Sequence, residues 1–539
     1  MASEARIIGP PGTGKTEFIR RQVEAWGDRY EPEQFVLTSF TRSAASILKG
    51  RVAVPSEQVG TLHALAYRAL GKPPIAEVGK LREEWNEQAP VLWQIGEARP
   101  LETALDESLD VPTTEQNRFE LYNLARARLL GEMHPLWLAT GDFAAAWGDF
   151  KRAHLACDFT DLLMQAYETV ARCPGDPAVL IADEAQDFTP LQWALIRKWA
   201  AGVERFIVAG DPAQSLYSFA GASPWEMLTD VSDAQSRVLS RSYRLPETIQ
   251  LFAEAWLARH SNGLSNGRDY APRIEGGVVR RLSATWQHPE PLLRDLERVT
   301  EQEGKQAMVL ASCAYMLAPL VRVLRDAGFV FHNPYRKTAG AWNPLGGRRA
   351  GVGRTVDRML AFANPNGWTP QEAILWLECL KAEVFYEHGR KAQFLRTPRA
   401  FLPADDDGLI HAAYLVPLLS EAAVHAVDHR DLGWLAESFS TEYQRRTAVF
   451  VVHALERYGG LVDPPPIVVG TIHSVKGGEA DAVYIFPDLS PSAAKTRSET
   501  HAHEDAVIRM GYVALTRARE EVVLCASTPG RGAKWAMEW

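Results

Sequence analysis

Apolar strand-like runs and helix-like stretches alternate along this chain, which makes its class α/β. Near the amino terminus, Arg6-Ile7-Ile8 reads as a strand and the stretch from Glu17 to Val23 as a helix. Val179-Leu180-Ile181-Ala182 is an unbroken apolar run ending in Asp183 and Glu184. That is the pattern of a buried parallel strand, with its acidic residues at the carboxyl edge where such sheets bind ligands. Thr189-Pro190-Leu191-Gln192 reads as a helix start, with Thr189 as N-cap, proline in the first turn and Gln192 closing a capping box. Residues 118–130 have helical periodicity. Further on, Met308 to Ala311 predicts a strand, Leu317 to Arg325 an amphipathic helix closed by Gly328, and Phe329 to Phe331 the next strand. A proline stop at 464–466 then precedes a strand from Ile467.

A chain of 539 residues is long enough for three or four core-bearing units. Its 46% hydrophobic and 23% charged residues read as a soluble globular protein. No run reaches the ~18 apolar residues of a membrane span, and the first residues lack a secretory signal. The five cysteines are scattered without C-x-x-C spacing, so neither a disulfide framework nor a zinc site is expected. A cytoplasmic location follows. The net charge of −9 confines any nucleic-acid site to a local groove.

The chemistry begins with Gly9, Pro10, Pro11, Gly12, Thr13, Gly14, Lys15 and Thr16, the pattern G-x-x-x-x-G-K-[ST] between a strand and a helix. Its glycines let the loop wrap an anion with N–H groups inward, and the helix N-terminus adds its positive end. Lys15 can reach the β- and γ-phosphates of a nucleoside triphosphate, and Thr16 can offer a hydroxyl to Mg²⁺. One of the acidic pair Asp183 and Glu184 can hold that Mg²⁺, and its neighbour can orient or deprotonate water.

Asp183-Glu184-Ala185-Gln186-Asp187, followed by the segment Gly210-Asp211-Pro212-Ala213-Gln214-Ser215-Leu216-Tyr217 and Phe219, resembles the UvrD/Rep/PcrA helicases of superfamily 1. Further matches fall in family order. Ser39 to Ala45 and Gly60-Thr61-Leu62-His63 resemble early DNA-contacting motifs, and Asp158 to Leu163 the return into the first motor domain. Leu239 to Arg244 resembles the motif opening the second motor domain; Gly470 to Glu479 and Gly511 to Arg519 resemble the last two.

The resemblance implies roles residue by residue. Glu184 is the expected general base, Asp183 the metal carboxylate and Gln214 the γ-phosphate sensor. Arg244 and Arg517 are the expected arginine fingers. Tyr243 is expected to stack on adenine and Glu479 to lie beside the ribose. Phe40, Thr61, His63, Tyr217, Phe219, Thr471, His473 and Ser474 are the expected DNA contacts, the aromatics stacking bases without reading sequence. The chain departs from the family at Glu17, where relatives often have arginine, at Phe219 for tryptophan, at Ala220 for arginine and at Gly478 for leucine. Only eight residues precede Gly9, so the family's adenine-recognising glutamine is expected to be absent or supplied elsewhere.

The implied architecture is two RecA-like P-loop motor domains, each with a mainly helical insert. The first motor comprises 1–72 and 156–243 with insert 73–155; the second comprises 244–335 and 464–539 with insert 336–463. Trp85, Trp93, Trp137 and Trp147 are expected in the first insert's core. Arg348, Arg349, Arg354 and Arg358, in a glycine-rich stretch, suit duplex phosphates or a solvated loop. The implied function is an ATP- and Mg²⁺-dependent helicase moving 3′ to 5′ on single-stranded DNA, acting at single-strand/duplex junctions. It is expected to be monomeric in isolation, off the membrane, and open to a repair, replication or defence partner. The alternative is a DNA-stimulated ATPase subunit that senses DNA without unwinding it. A small-molecule kinase leaves Arg244 and Arg517 unexplained.

Overall fold

The structure, a computed structural model, describes residues 4–40, 42–50, 52–96, 117–229, 235–261, 263–264, 267–335, 342–345, 355–402, 409–460, 462, 464–496 and 500–528. By contacts the chain divides into two units, one of Met1–Leu282, Leu310–Tyr315 and Thr471–Trp539, the other of Ser283–Val309 and Met316–Gly470.

The first unit is built on strands β1 (Glu4–Ile8), β2 (Phe35–Ser39), β3 (Val59–Gly60), β4 (Val179–Asp183), β5 (Arg205–Gly210) and β6 (Ser236–Val238). They form one parallel sheet in the order β3-β2-β4-β5-β1-β6. Register aligns Ser39 with Asp183 and Ile8 with Gly210, so the strands' carboxyl ends share one edge. Side chains of successive residues leave a strand on opposite faces. Leu180 and Ala182 accordingly join one core with Trp193 and Trp199, while Val179 and Ile181 join another with Ile19 and Val23. Burial on both faces explains why β4 reads as continuous apolar sequence. The expected capping box is present: Gln192 N donates to Thr189 Oγ1 at 3.3 Å, and Thr189 N to Gln192 Oε1 at 2.8 Å.

Between β3 and β4, helices Gly79–Gln88, Arg118–Ala127 and Gly141–Ala153 enclose an aromatic core. Trp85 and Trp147 are buried within it, 4.9 Å apart, and Trp93 and Trp137 pack against it, as the sequence suggested. Beside this core the buried Asp158 accepts from Lys151 Nζ at 2.7 Å, Trp147 Nε1 at 3.0 Å and the Arg126 guanidinium.

Strands β7 (Val278–Leu282), β8 (Ala307–Ala311), β9 (Phe331–His332), β10 (Ile467–Thr471), β11 (Ala480–Ile485) and β12 (Ala518–Cys525) make a second six-stranded sheet, ordered β7-β12-β11-β8-β10-β9. Its ladders β7–β12, β11–β12 and β9–β10 are parallel. The strand expected at 329–331 starts two residues later. Gly328 takes φ +72° and the Phe329 N–H turns back to Leu324 O at 2.9 Å, so these residues close helix Ala318–Asp326 instead.

In the second unit, helices including Thr355–Phe362, Pro370–Leu377 and Glu442–Tyr458 surround Phe362, Trp368 and Trp376. Arg348, Arg349 and Arg354 lie outside the described residues. Arg358 is buried and donates to Leu375 O at 3.0 Å, so it serves the core of this unit rather than an exposed phosphate grip. Among the described residues, no helix is long and apolar enough to cross a membrane.

Candidate nucleotide site and aromatic track

The loop from Gly9 to Thr16 leaves β1 and enters helix Lys15–Ala25. Gly9 N donates to Gly210 O at 2.9 Å, so the loop starts at the edge where β5 ends. Gly12 and Gly14 both have positive φ, +72° and +79°, a conformation glycine adopts without strain. A Cβ on Gly9 would collide with the Lys15 stem, and one on Gly12 with Arg244. Gly9 and Gly12 thus leave no room for a side chain, as an anion cradle requires. Lys15 Nζ folds over it, 3.2 Å from Gly9 O and 3.7 Å from Glu184 Oε1.

Asp183 ends β4, and Glu184 follows in a left-handed conformation with φ +55°. A side chain held there costs of order 1–3 kcal/mol, a strain found chiefly at functional sites. Burial, followed by the neighbouring Glu184 charge, pushes the Asp183 carboxyl up. Burial also acts to raise Glu184, but Lys15, Lys476 and a hydrogen bond from Gln186 outweigh it and hold Glu184 low. The pair therefore favours an ionised Glu184 facing a lysine. Lys476 Nζ lies 3.7 Å from Glu184 Oε2 and pairs with the buried Asp187.

From Glu184 a run of hydrogen bonds leads away. Gln186 Nε2 donates to Glu184 Oε2 at 2.7 Å, and Asp211 N donates to Gln186 Oε1 at 3.0 Å. Gln214 Nε2 donates to Asp211 Oδ2 at 2.6 Å, and Arg517 Nη2 to Gln214 Oε1 at 3.1 Å. Arg517 is itself buried at the end of helix His501–Leu515.

The segment after β6 grips the loop from the other side. Ser242 Oγ donates to Pro11 O at 2.9 Å and Tyr243 N to Gly12 O at 2.8 Å. Arg244 Nε donates to Glu479 Oε2 at 2.6 Å and Nη1 to Thr516 O at 3.2 Å. Tyr243 is 68% exposed, with its ring beside Gly14 where a flat ligand could meet it. Glu17 is occupied by Arg20 and Arg21, each donating to it.

Phe40, Tyr217, Phe219 and His473 form one aromatic group. Tyr217 lies 5.1 Å from Phe40, 6.3 Å from Phe219 and 6.4 Å from His473, with Lys476 Nζ 5.3 Å from its ring centre. Tyr217 and His473 are buried, whereas Phe40 and Phe219 keep some surface. Burial, then the Lys476 charge, lowers His473 to about 4, so its ring is neutral near pH 7. Thr471 Oγ1 accepts from Ser474 N at 3.2 Å, and Ser474 Oγ donates to Thr471 O at 2.9 Å, so both side chains shape the turn after β10. Thr61 caps helix Leu62–Ala69, accepting from Ala64 N at 3.3 Å, and His63 meets Phe159 edge-on.

Sequence reading gave no role to Gln186, Asp187, Lys476, Arg268 or Arg509. The first three sit inside recognised motifs and were legible as candidates. Arg268 and Arg509 carry no motif signal that distinguishes them from surface arginines. Arg268 pairs with Asp211, and Arg509 Nε donates to Ser215 O at 3.0 Å.

Two family profiles match, the UvrD/REP helicase N-terminal domain over residues 1–235 and the UvrD-like helicase C-terminal domain over 466–525, together more than half the chain. The ATP-dependent DNA helicase UvrD2 of Mycobacterium tuberculosis is 23% identical over 592 aligned positions, covering 96% of this chain and 76% of the relative. The ATP-dependent DNA helicase Rep of Escherichia coli is 27% identical over 334 positions, 54% of this chain and 46% of its own. DNA helicase II of the same organism is 22% identical over 385 positions, 63% of this chain and 50% of its own. The chain belongs to the UvrD/Rep helicase family, a family of DNA-dependent ATPases.

Proposed function

We propose that this protein is a translocase that moves 3′ to 5′ along single-stranded DNA, hydrolyses ATP as it does so, and separates duplex at single-strand/duplex junctions. The observation that supports it most is the convergence of Lys15, Glu184, Gln214, Arg244 and Arg517 around one glycine loop. Phosphoryl transfer needs little beyond positioned water and neutralised charge, and those are the residue types gathered here.

In this reading Glu184, held ionised, takes the proton from the attacking water, and Gln214 senses the γ-phosphate. Arg244 and Arg517 neutralise charge on the phosphates, Tyr243 stacks on the base and Glu479 lies beside the ribose. Asp183 and Thr16 would hold Mg²⁺, which supplies charge neutralisation to the phosphates. Among the described residues no group of three or more His, Cys, Asp or Glu could enclose a metal. A site of two protein oxygens completed by phosphate and water suits Mg²⁺, which dehydrates reluctantly.

Phe40 and Phe219 are the rings with surface to stack on bases, backed by Tyr217 and His473; Thr61, His63, Thr471 and Ser474 are the further contacts this reading assigns to the strand. The motor halves in this reading are 1–72 with 156–243 and 244–335 with 464–539, and the inserts are 73–155 and 336–463. The test is unwinding of duplexes carrying a 3′ or a 5′ single-stranded tail. Separation of the 3′-tailed duplex alone is expected. Preference for the 5′ tail would reverse the polarity, and DNA-stimulated hydrolysis without separation would make the protein a DNA sensor.

A further inference from the structure

The side chain of Arg268 is only 5% exposed, although the residue lies in no motif that carries chemistry. Its guanidinium spans both oxygens of Asp211, with Nη1 on Oδ1 and Nη2 on Oδ2 at 3.0 Å. Nη2 also donates to Tyr512 Oη at 2.8 Å, and Tyr512 Oη in turn donates to Glu254 Oε1 at 2.9 Å. Asp211 is fully buried, so two-point contact with arginine both neutralises it and fixes its plane. Oδ2 is the oxygen that accepts from Gln214 Nε2. Holding the Gln214 nitrogen there leaves Oε1 turned to Arg517. An amide has two distinct ends, so whatever fixes Asp211 selects which end of Gln214 faces the arginine. The Asp211 backbone N–H, through Gln186, carries the same constraint toward Glu184.

We infer that Arg268 is a positioning residue for hydrolysis, acting through Asp211 to hold the Gln214 amide in register with Arg517. The inference rests on the ATPase reading above and adds to it a residue outside the nucleotide loop. Lysine at 268 keeps the charge but cannot span both carboxylate oxygens and the tyrosine together. A small displacement of a reacting group can cost up to ~10²-fold in rate.

The experiment compares ATP turnover by the wild type, Arg268→Lys, Gln214→Ala and the double variant, with thermal unfolding to show that each is folded. Arg268→Lys is expected to lower kcat by ~10-fold with KM for ATP within ~2-fold, because positioning is lost and nucleotide binding is not. In the Gln214→Ala background the same change is expected to lower kcat by less than ~2-fold, because its target is gone. Tyr512→Phe, which removes one oxygen without a buried charge, repeats the comparison should Arg268→Lys fail to fold, and a smaller kcat loss that vanishes in the Gln214→Ala background is expected. Equal losses in both backgrounds, a change confined to KM, or full activity would overturn the inference while leaving the ATPase reading standing. A wild-type protein that does not hydrolyse ATP would overturn both.

Discussion

Arg517 and Gln214 lie 303 residues apart in sequence and meet at 3.1 Å inside the protein. The bond joins the end of helix His501–Leu515 to the loop after β5, beside the glycine cradle that follows β1. Movement at either partner is felt by the other, a link that would serve a motor in which, as proposed, Gln214 senses the γ-phosphate. Arg517→Ala should therefore lower kcat by roughly 10³–10⁵, the range for an arginine that meets transferring phosphate. Single-turnover hydrolysis measures it, and a loss of only a few-fold would reduce Arg517 to a structural strut.

Glu184→Gln keeps the shape of the side chain and the partnership with Gln186 while removing the proposed base. Turnover should fall by about 10²–10⁴, the usual worth of positioned proton transfer. Binding of a fluorescent ATP analogue should persist, because Lys15 and the loop are untouched. Retained turnover would remove Glu184 from the chemistry.

Gly12→Ala tests the cradle. Its φ of +72° costs a side chain roughly 1–2 kcal/mol, and the new Cβ would strike Arg244 and come within 2.8 Å of Ser242 Oγ. The variant should lose nucleotide affinity and melt at lower temperature. Unchanged affinity in a titration would show that the loop is not the binding element.

Tyr243 exposes its ring while its backbone is pinned to Gly12. Tyr243→Ala should raise KM for ATP about tenfold, equivalent to ~1.4 kcal/mol of lost stacking, with kcat little changed. A fall in kcat at constant KM would contradict a role at the base.

Glu77 gives a pH dependence apart from catalysis. It accepts from Phe159 N at 2.6 Å, and burial followed by the Asp158 charge pushes it up to about 7 from an ordinary 4.5. A carboxyl raised on folding stabilises the protein while protonated. That stabilisation is complete below pH 4.5 and is lost as pH rises through 7. Urea unfolding across that window should show Glu77→Gln removing a decline of at most about 1.4 kcal/mol per pH unit. The same slope in the variant would assign the decline to other groups.

Much of this arrangement was legible in the sequence because it is local. The glycine loop between a strand and a helix, the apolar run of β4 and the capping box at Thr189 each declare themselves within a dozen residues. The family resemblance then supplied Arg244 and Arg517, whose own neighbourhoods say nothing of phosphate. Arg268 was not legible: its meaning depends on Asp211 and Tyr512, 57 and 244 residues away, and on burial that a polar loop sequence does not betray. The start of β9 was misplaced for a similar reason, since the turn that Gly328 makes spends two apolar residues on closing a helix.

The most direct test of the whole account is ATP hydrolysis by the purified protein with and without single-stranded DNA, alongside Lys15→Ala. The account predicts hydrolysis that rises several-fold on adding the strand and vanishes in the variant. Hydrolysis indifferent to DNA, or surviving the loss of Lys15, would contradict it.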